Sequence, residues 1–223
     1  MYLKLNSTHD TASHIGGPPI FTEQVGLPEC RLCTSAQTFF LYLDFPENHP
    51  WFGNGLSIYH CVDCCFDDDH FIPKILETGP LPGISVPEDY LRDYQENFSF
   101  MLIPKGALRV QPSGHGRIMK QALVGTRSAR SALVSFKTPR WEMEDESPSD
   151  YNGLPLLFLF DLAPHRYLRV DDAPPQVRWD PWECRPKPSL KAYYELFLSN
   201  HLYFFGLEEP SSDIYCIVQP PGG

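Results

Sequence analysis

Two cysteine pairs carry the sharpest chemical signal of this 223-residue chain: Cys30-x-x-Cys33 and Cys61-x-x-Cys64, with 27 residues between them. Each pair can turn two thiolates toward one ion across a single tight turn, and two such knuckles complete a tetrahedral sulfur shell. The spacing therefore predicts a zinc site at Cys30, Cys33, Cys61 and Cys64, with Cys65 able to stand in for Cys64. His60 is a weaker candidate, because in an extended strand it faces away from its neighbour Cys61. Four reduced core thiols are the plain alternative. A shell of four sulfurs has no open position for water, so the expected role is structural.

Other reactive patterns are thin. Pro28-Glu29-Cys30-Arg31-Leu32-Cys33 matches the P-C-x-x-C half of a nucleobase-deaminase signature, but none of the eight histidines has Glu two residues later, so the H-x-E half is missing. His14-Ile15-Gly16-Gly17-Pro18-Pro19 fits neither phosphate-loop pattern and reads as a tight turn leading to a sheet edge. Asp67, Asp68, Asp69 and His70 read as a solvated turn. No G-x-S-x-G occurs, and no catalytic residue is assigned.

The elements that must position the cysteines are predominantly strands. Thr38 to Phe45 alternates Phe39, Leu41, Leu43 and Phe45, and Leu56 to Cys61 and Ser99 to Pro104 are further strands. Ser85-Val86-Pro87-Glu88 opens a short helix carrying Tyr90, Leu91, Tyr94 and Phe98. In the second half, Leu154 to Leu162 echoes Thr38 to Phe45, and Leu202 to Gly206 echoes Leu56 to His60. Pro188-Ser189 opens a second helix with Leu190, Tyr193, Tyr194, Phe197 and Leu198 at helical spacing. Glu142 to Gly153 and Pro112 to Gly116 are loops. The expected fold is α+β, mainly β, a diverged duplication of a strand-rich unit. Residues 1–104 form the first repeat, 105–140 a basic connecting segment and 141–223 the second, sharing one core.

Composition sets the class. With 42% hydrophobic and 13% aromatic residues the chain buries a core, and 23 Pro with 15 Gly break long helical runs. Seven cysteines, an odd number, four of them in CxxC pairs, point to metal binding in a reducing cytoplasm rather than to a disulfide framework. Cys65, Cys184 and Cys216 are left as small hydrophobes. No apolar run has signal-peptide or membrane-spanning length. The net charge of −10 divides into +8 over residues 105–140, which hold no acid, and −18 elsewhere. Arg117, Lys120, Arg127, Arg130 and Lys137 have no interleaved aromatics before Phe136 to stack bases, so they read as a basic surface loop or hairpin and nucleic acid is not the expected partner. The acidic remainder suits a basic protein partner, and Trp141, Trp179 and Trp182 are either core or anchors for it.

The order His14-Ile15-Gly16-Gly17-Pro18-Pro19, Cys30-x-x-Cys33, FFLYLDFP, LSIYHC and Cys61-x-x-Cys64 resembles the YwqG-like bacterial proteins. It is also similar to the C-terminal region of the programmed cell death protein 2 family, which has paired CxxC motifs. The likeness covers residues 14–65 and, in the second half, LPLLFLFDL and LYFFG; Tyr42 and Leu43 stand where the family often has Gln, and His14 where Lys is common. The resemblance implies a duplicated strand-rich fold without a catalytic centre. It further implies a binding role: an immunity protein that neutralises a bacterial toxin, or a chaperone for a basic ribosomal protein. An enzyme with an unrecognised site is the remaining alternative.

Overall fold

A computed structural model describes residues 1–6, 11–22, 27–31, 33–63, 84–85, 98–104, 106–107, 109–110, 116–196 and 200–221. Ten antiparallel strands form the main sheet. From edge to edge they are β7 (Phe98–Pro104), β5 (Asn54–His60), β4 (Thr38–Asp44), β2 (His14–Ile15), β9 (Gln121–Thr126), β1 (Tyr2–Asn6), β10 (Val134–Ser135), β13 (Leu157–Leu162), β18 (His201–Gly206) and β19 (Ile214–Gln219). The sheet curls until its two edges nearly meet. Across the seam the Leu102 amide donates to Ser212 Oγ at 3.3 Å, and the Phe100 and Phe204 rings lie 5.9 Å apart.

The strand order repeats about the β1–β9 pair. β2, β4, β5 and β7 follow on one side as β10, β13, β18 and β19 do on the other. A bulge recurs with the order: pairing shifts between Phe39 and Leu41 in β4 and between Phe158 and Phe160 in β13. The extra residue turns two consecutive side chains to the same face. Phe40 and Leu41 both enter the central core, as do Leu159 and Phe160, while Phe39 joins a separate outer cluster. Strict alternation from Phe39 to Phe45 is corrected accordingly. The LSIYH and LYFFG echo holds residue for residue in register, since Tyr42 faces Ser57 as Asp161 faces Tyr203.

One central core gathers Phe40, Leu43, Trp51 and Ile58 from the first half with Leu159, Leu202, Phe204 and Cys216 from the second. A strap covers the outer face of each half. After β2 the chain crosses so that the Ile20 carbonyl accepts from Ser57 Oγ (2.7 Å) and the Tyr59 hydroxyl (2.9 Å). After β10 the Arg140 carbonyl accepts from the Tyr203 hydroxyl at 2.8 Å. Under the first strap lie Ile20, Phe39, Tyr42, Tyr59 and Ile103; under the second, Tyr203, Phe205, Tyr215 and Ile217 with Trp141 against them. Both faces of β4, β5, β18 and β19 are therefore buried almost throughout, which is why these strands are nearly all apolar.

Four small sheets accompany it among the described residues: β3 (Phe21–Thr22) with β8 (Arg109–Val110); β6 (Ile84–Ser85) with β11 (Asp150–Tyr151) and β12 (Leu154–Pro155); β14 (Arg166–Leu168) with β17 (Tyr193–Glu195); and β15 (Val177–Asp180) with β16 (Arg185–Pro188).

Four expectations change. Tyr193 and Tyr194 lie in β17, not in a helix from Pro188: Tyr194 is buried, its ring 6.4 Å from that of Phe40, and Gln176 brackets Glu195 by accepting from its amide (2.9 Å) and donating to its carbonyl (3.2 Å). Leu190, placed on the apolar stripe by helical spacing, is 91% exposed. Among the described residues of 105–140, Gln121–Thr126 and Val134–Ser135 form β9 and β10 inside the main sheet rather than a surface loop or hairpin, while the Lys120, Arg127, Arg130 and Lys137 side chains are exposed. His14 and Ile15 do not approach an edge either, since β2 is hydrogen-bonded on both sides. Gly16 (φ 58°) turns the chain there, and a Cβ on it would stand 2.5 Å from the Met119 carbonyl oxygen. Of the helix expected from Ser85, Ser85 lies in β6 and Phe98 opens β7; residues 86–97 lie outside the described residues, as do Asp67 to His70 and 111–115.

Candidate metal centre

The first cysteine pair sits on a small hairpin. Gln37 N donates to the Pro28 carbonyl (2.9 Å), Cys30 N to Ser35 O (2.9 Å) and Thr34 N back to Cys30 O (2.8 Å). Closing so tightly forces Thr34, the residue after Cys33, into the left-handed region at φ 63°. The turn aims both thiols inward: Cys30 is 1% exposed and Cys33 half-buried.

The third thiol arrives from the sheet. β5 ends at His60, and Cys61 follows it, fully buried. The chain there is pinned by the Val177 amide, which donates to Val62 O at 3.1 Å. His60 turns toward the core, 4.7 Å from the Phe98 ring and 5.8 Å from that of Phe40. Burial, opposed by the nearby Cys30 thiol, pushes its pKa far below the ordinary imidazole value.

The sulfurs of Cys30, Cys33 and Cys61 all lie within 4.8 Å of one another, and those of Cys33 and Cys61 are 3.5 Å apart. That is far beyond a disulfide bond of about 2.05 Å. Two thiolates on one tetrahedral zinc, each bonded at about 2.3 Å, stand about 3.8 Å apart, so the three thiols can hold a metal ion. Cys64, expected as the fourth ligand, and Cys65 lie outside the described residues. What the arrangement does is join a surface hairpin to the end of a central strand, and its all-sulfur donors favour soft or borderline ions.

A second polar constellation escapes the motif reading. Asp161, in the apolar run LFLFDL, is fully buried on the outer face of β13. It accepts from Arg140 Nε (2.7 Å), from Arg140 Nη2 and from the Arg140 amide (3.1 Å), and faces His201 Nε2 at 3.1 Å. His201 Nδ1 lies 3.1 Å from Glu142 Oε1. Arg140 also donates to the Ala129 and Ala132 carbonyls. These groups serve one another and lock the second strap, which Gln219 fastens by accepting from the Glu142 and Met143 amides and donating to Glu144 O at 2.7 Å. The available signal was a carboxylate amid core residues, which has to find a cation or donors when buried.

No transmembrane helix is suggested: among the described residues no helix is long and apolar enough to cross a bilayer. Comparison with protein-family models, curated proteins and solved structures finds no match to this chain.

Proposed function

We propose that this chain is a non-catalytic binding protein, a bacterial immunity protein that neutralises a basic toxin by direct contact, with Zn²⁺ held by Cys30, Cys33, Cys61 and Cys64 as a structural stitch. The observation that supports it most is the second strap. Residues 142–146 (EMEDE) bring four acids to the surface on a backbone fastened by Gln219 and Tyr203, with Met143 59% exposed among them. Acids on a fixed backbone steer a basic partner, and an exposed apolar side chain among them offers an anchor at little ordering cost. The resemblance at residues 14–65 supports the toxin-directed form of this reading. Zinc is favoured by the all-sulfur donor set and by three thiols within 4.8 Å of one another.

The test is affinity capture of the tagged chain from its native cell, followed by quantitation of bound metal and of any stoichiometric partner. A basic toxin captured at one-to-one ratio, whose affinity drops with salt and with Glu144→Lys or Asp145→Lys, is the expected result. Capture of a basic ribosomal protein instead would make the chain an assembly factor. Turnover of small substrates with no partner captured would refute the binding role.

A further inference from the structure

A row of side chains crosses three neighbouring chain segments at the small β14–β17 sheet. Ile118 bridges Arg169, so Met119 stands opposite Leu168, its amide donating to the Leu168 carbonyl at 2.8 Å. On the other side of β14, Leu168 faces Tyr193. Residues directly opposite in antiparallel pairing share a face. Here that face is the solvent side: Met119 is 49% and Leu168 43% exposed, with Tyr193 half-buried beside them.

The row is fixed before any ligand arrives. The chain through β14 is held on both sides, by the Val170 amide on the Arg117 carbonyl and by the Arg169 amide on the Ala192 carbonyl, each at 3.0 Å. The opposite face carries Tyr167 and Tyr194, both buried, their rings 4.9 and 6.4 Å from that of Phe40. On the exposed face the Arg166 guanidinium lies over the Tyr193 ring, 5.1 Å from its centroid. Glu195, the register partner of Arg166, holds Lys191 Nζ at 2.9 Å instead, and among the described residues no acid pairs with Arg166. Stacking on a ring engages none of the guanidinium N–H donors, so they remain available to a bidentate carboxylate.

An apolar row beside such a guanidinium selects a polypeptide that carries an apolar side chain next to a carboxylate. Nucleic acid fits less well, because the one aromatic ring that could stack a base already lies under Arg166. We infer that Met119, Leu168, Tyr193 and Arg166 form a docking surface for an extended acidic segment of a partner polypeptide, one apolar side chain lying on the row and a neighbouring carboxylate on Arg166. The inference goes beyond the toxin reading, since the strap at residues 142–146 suits a basic partner and this row an acidic one.

The probe is the peptide acetyl-Glu-Leu-Glu-Leu-Glu-amide, titrated into the isotopically labelled chain and followed by amide chemical shifts, with acetyl-Gln-Leu-Gln-Leu-Gln-amide as the neutral control. Saturable shifts centred on Met119, Leu168 and Tyr193, at least roughly threefold tighter for the acidic peptide, are expected. Arg166→Gln should remove that preference, and Leu168→Ser should weaken both peptides. Both side chains are exposed, so neither change disturbs the core; if Leu168→Ser nonetheless melts early, Arg166→Gln carries the test. No saturation, equal binding of the two peptides, shifts centred elsewhere, or a preference that survives Arg166→Gln overturns the inference. Tighter saturation by a single-stranded oligothymidylate would give the row to nucleic acid, and the same shifts on concentrating the chain without peptide would give it to a second copy; either overturns the inference too. The toxin reading is decided separately, by partner capture and by Glu144→Lys, so each can fail alone.

Discussion

Cys33 provides the decisive comparison for the metal centre. As ordinary packing, the three thiols differ: Cys30 and Cys61 are buried and Cys33 is half-buried. Truncating a buried thiol to Ala removes one sulfur's worth of burial, about 1 kcal/mol, and truncating the half-exposed one costs less. As ligands of one ion they are equivalent. A structural zinc site contributes about 10–16 kcal/mol in small domains, which divides over four ligands into about 2.5–4 kcal/mol per thiolate. Set against a total stability of about 5–15 kcal/mol, losing any one of them is severe. Cys30→Ala, Cys33→Ala and Cys61→Ala should therefore destabilise alike, each by about 3 kcal/mol. Urea unfolding with and without a chelator, beside metal quantitation, reads this directly. A graded series in which Cys33→Ala is nearly silent, with melting indifferent to chelator, would refute metal binding and return the thiols to core packing.

Three further outcomes follow from the buried contacts. Asp161→Asn should cost about 3 kcal/mol in urea unfolding, because it leaves the Arg140 guanidinium facing a neutral group, whereas Asp161→Leu with Arg140→Met should recover most of the loss; a single-variant cost under about 1 kcal/mol would show the pair to be incidental. Gly206→Ala would place a Cβ 2.8 Å from Trp51 Cζ2 and 2.9 Å from Leu159 Cδ1, and overpacking there should lower stability by about 1–3 kcal/mol, read by thermal melting. Burial lowers the pKa of His49 and of His165. The unfolded chain then takes up these protons near pH 6.5 while the native state does not, so their stabilising effect is complete above that pH and fades as pH falls below it. Unfolding at pH 7.5 and 5.5 should show the decline, shallower in His49→Gln; the same decline in both proteins would exonerate the ring.

The residues that the sequence placed best are those whose signal is local. CxxC spacing requires only a tight turn, and the structure brings Cys30, Cys33 and Cys61 together. Apolar runs such as LSIYH and LYFFG identify strands because few other conformations bury so many consecutive large side chains. Tyr193 and Tyr194 misled because aromatic residues three and four apart suit a helical stripe and also a short strand, and length could not arbitrate. Asp161 could not be placed that way, because its partners lie 21 and 40 residues away, at Arg140 and His201.

By itself, then, the order of residues determined the mainly β character, the thiol pairs and the acidic balance, since each depends on neighbours in the chain. Tertiary structure alone decided which face each residue takes around the two bulges, that a basic stretch supplies central strands, and that Asp161 meets Arg140 and His201. Those outcomes depend on register and on contacts between distant segments, and shifting one strand by a single residue exchanges inside for outside.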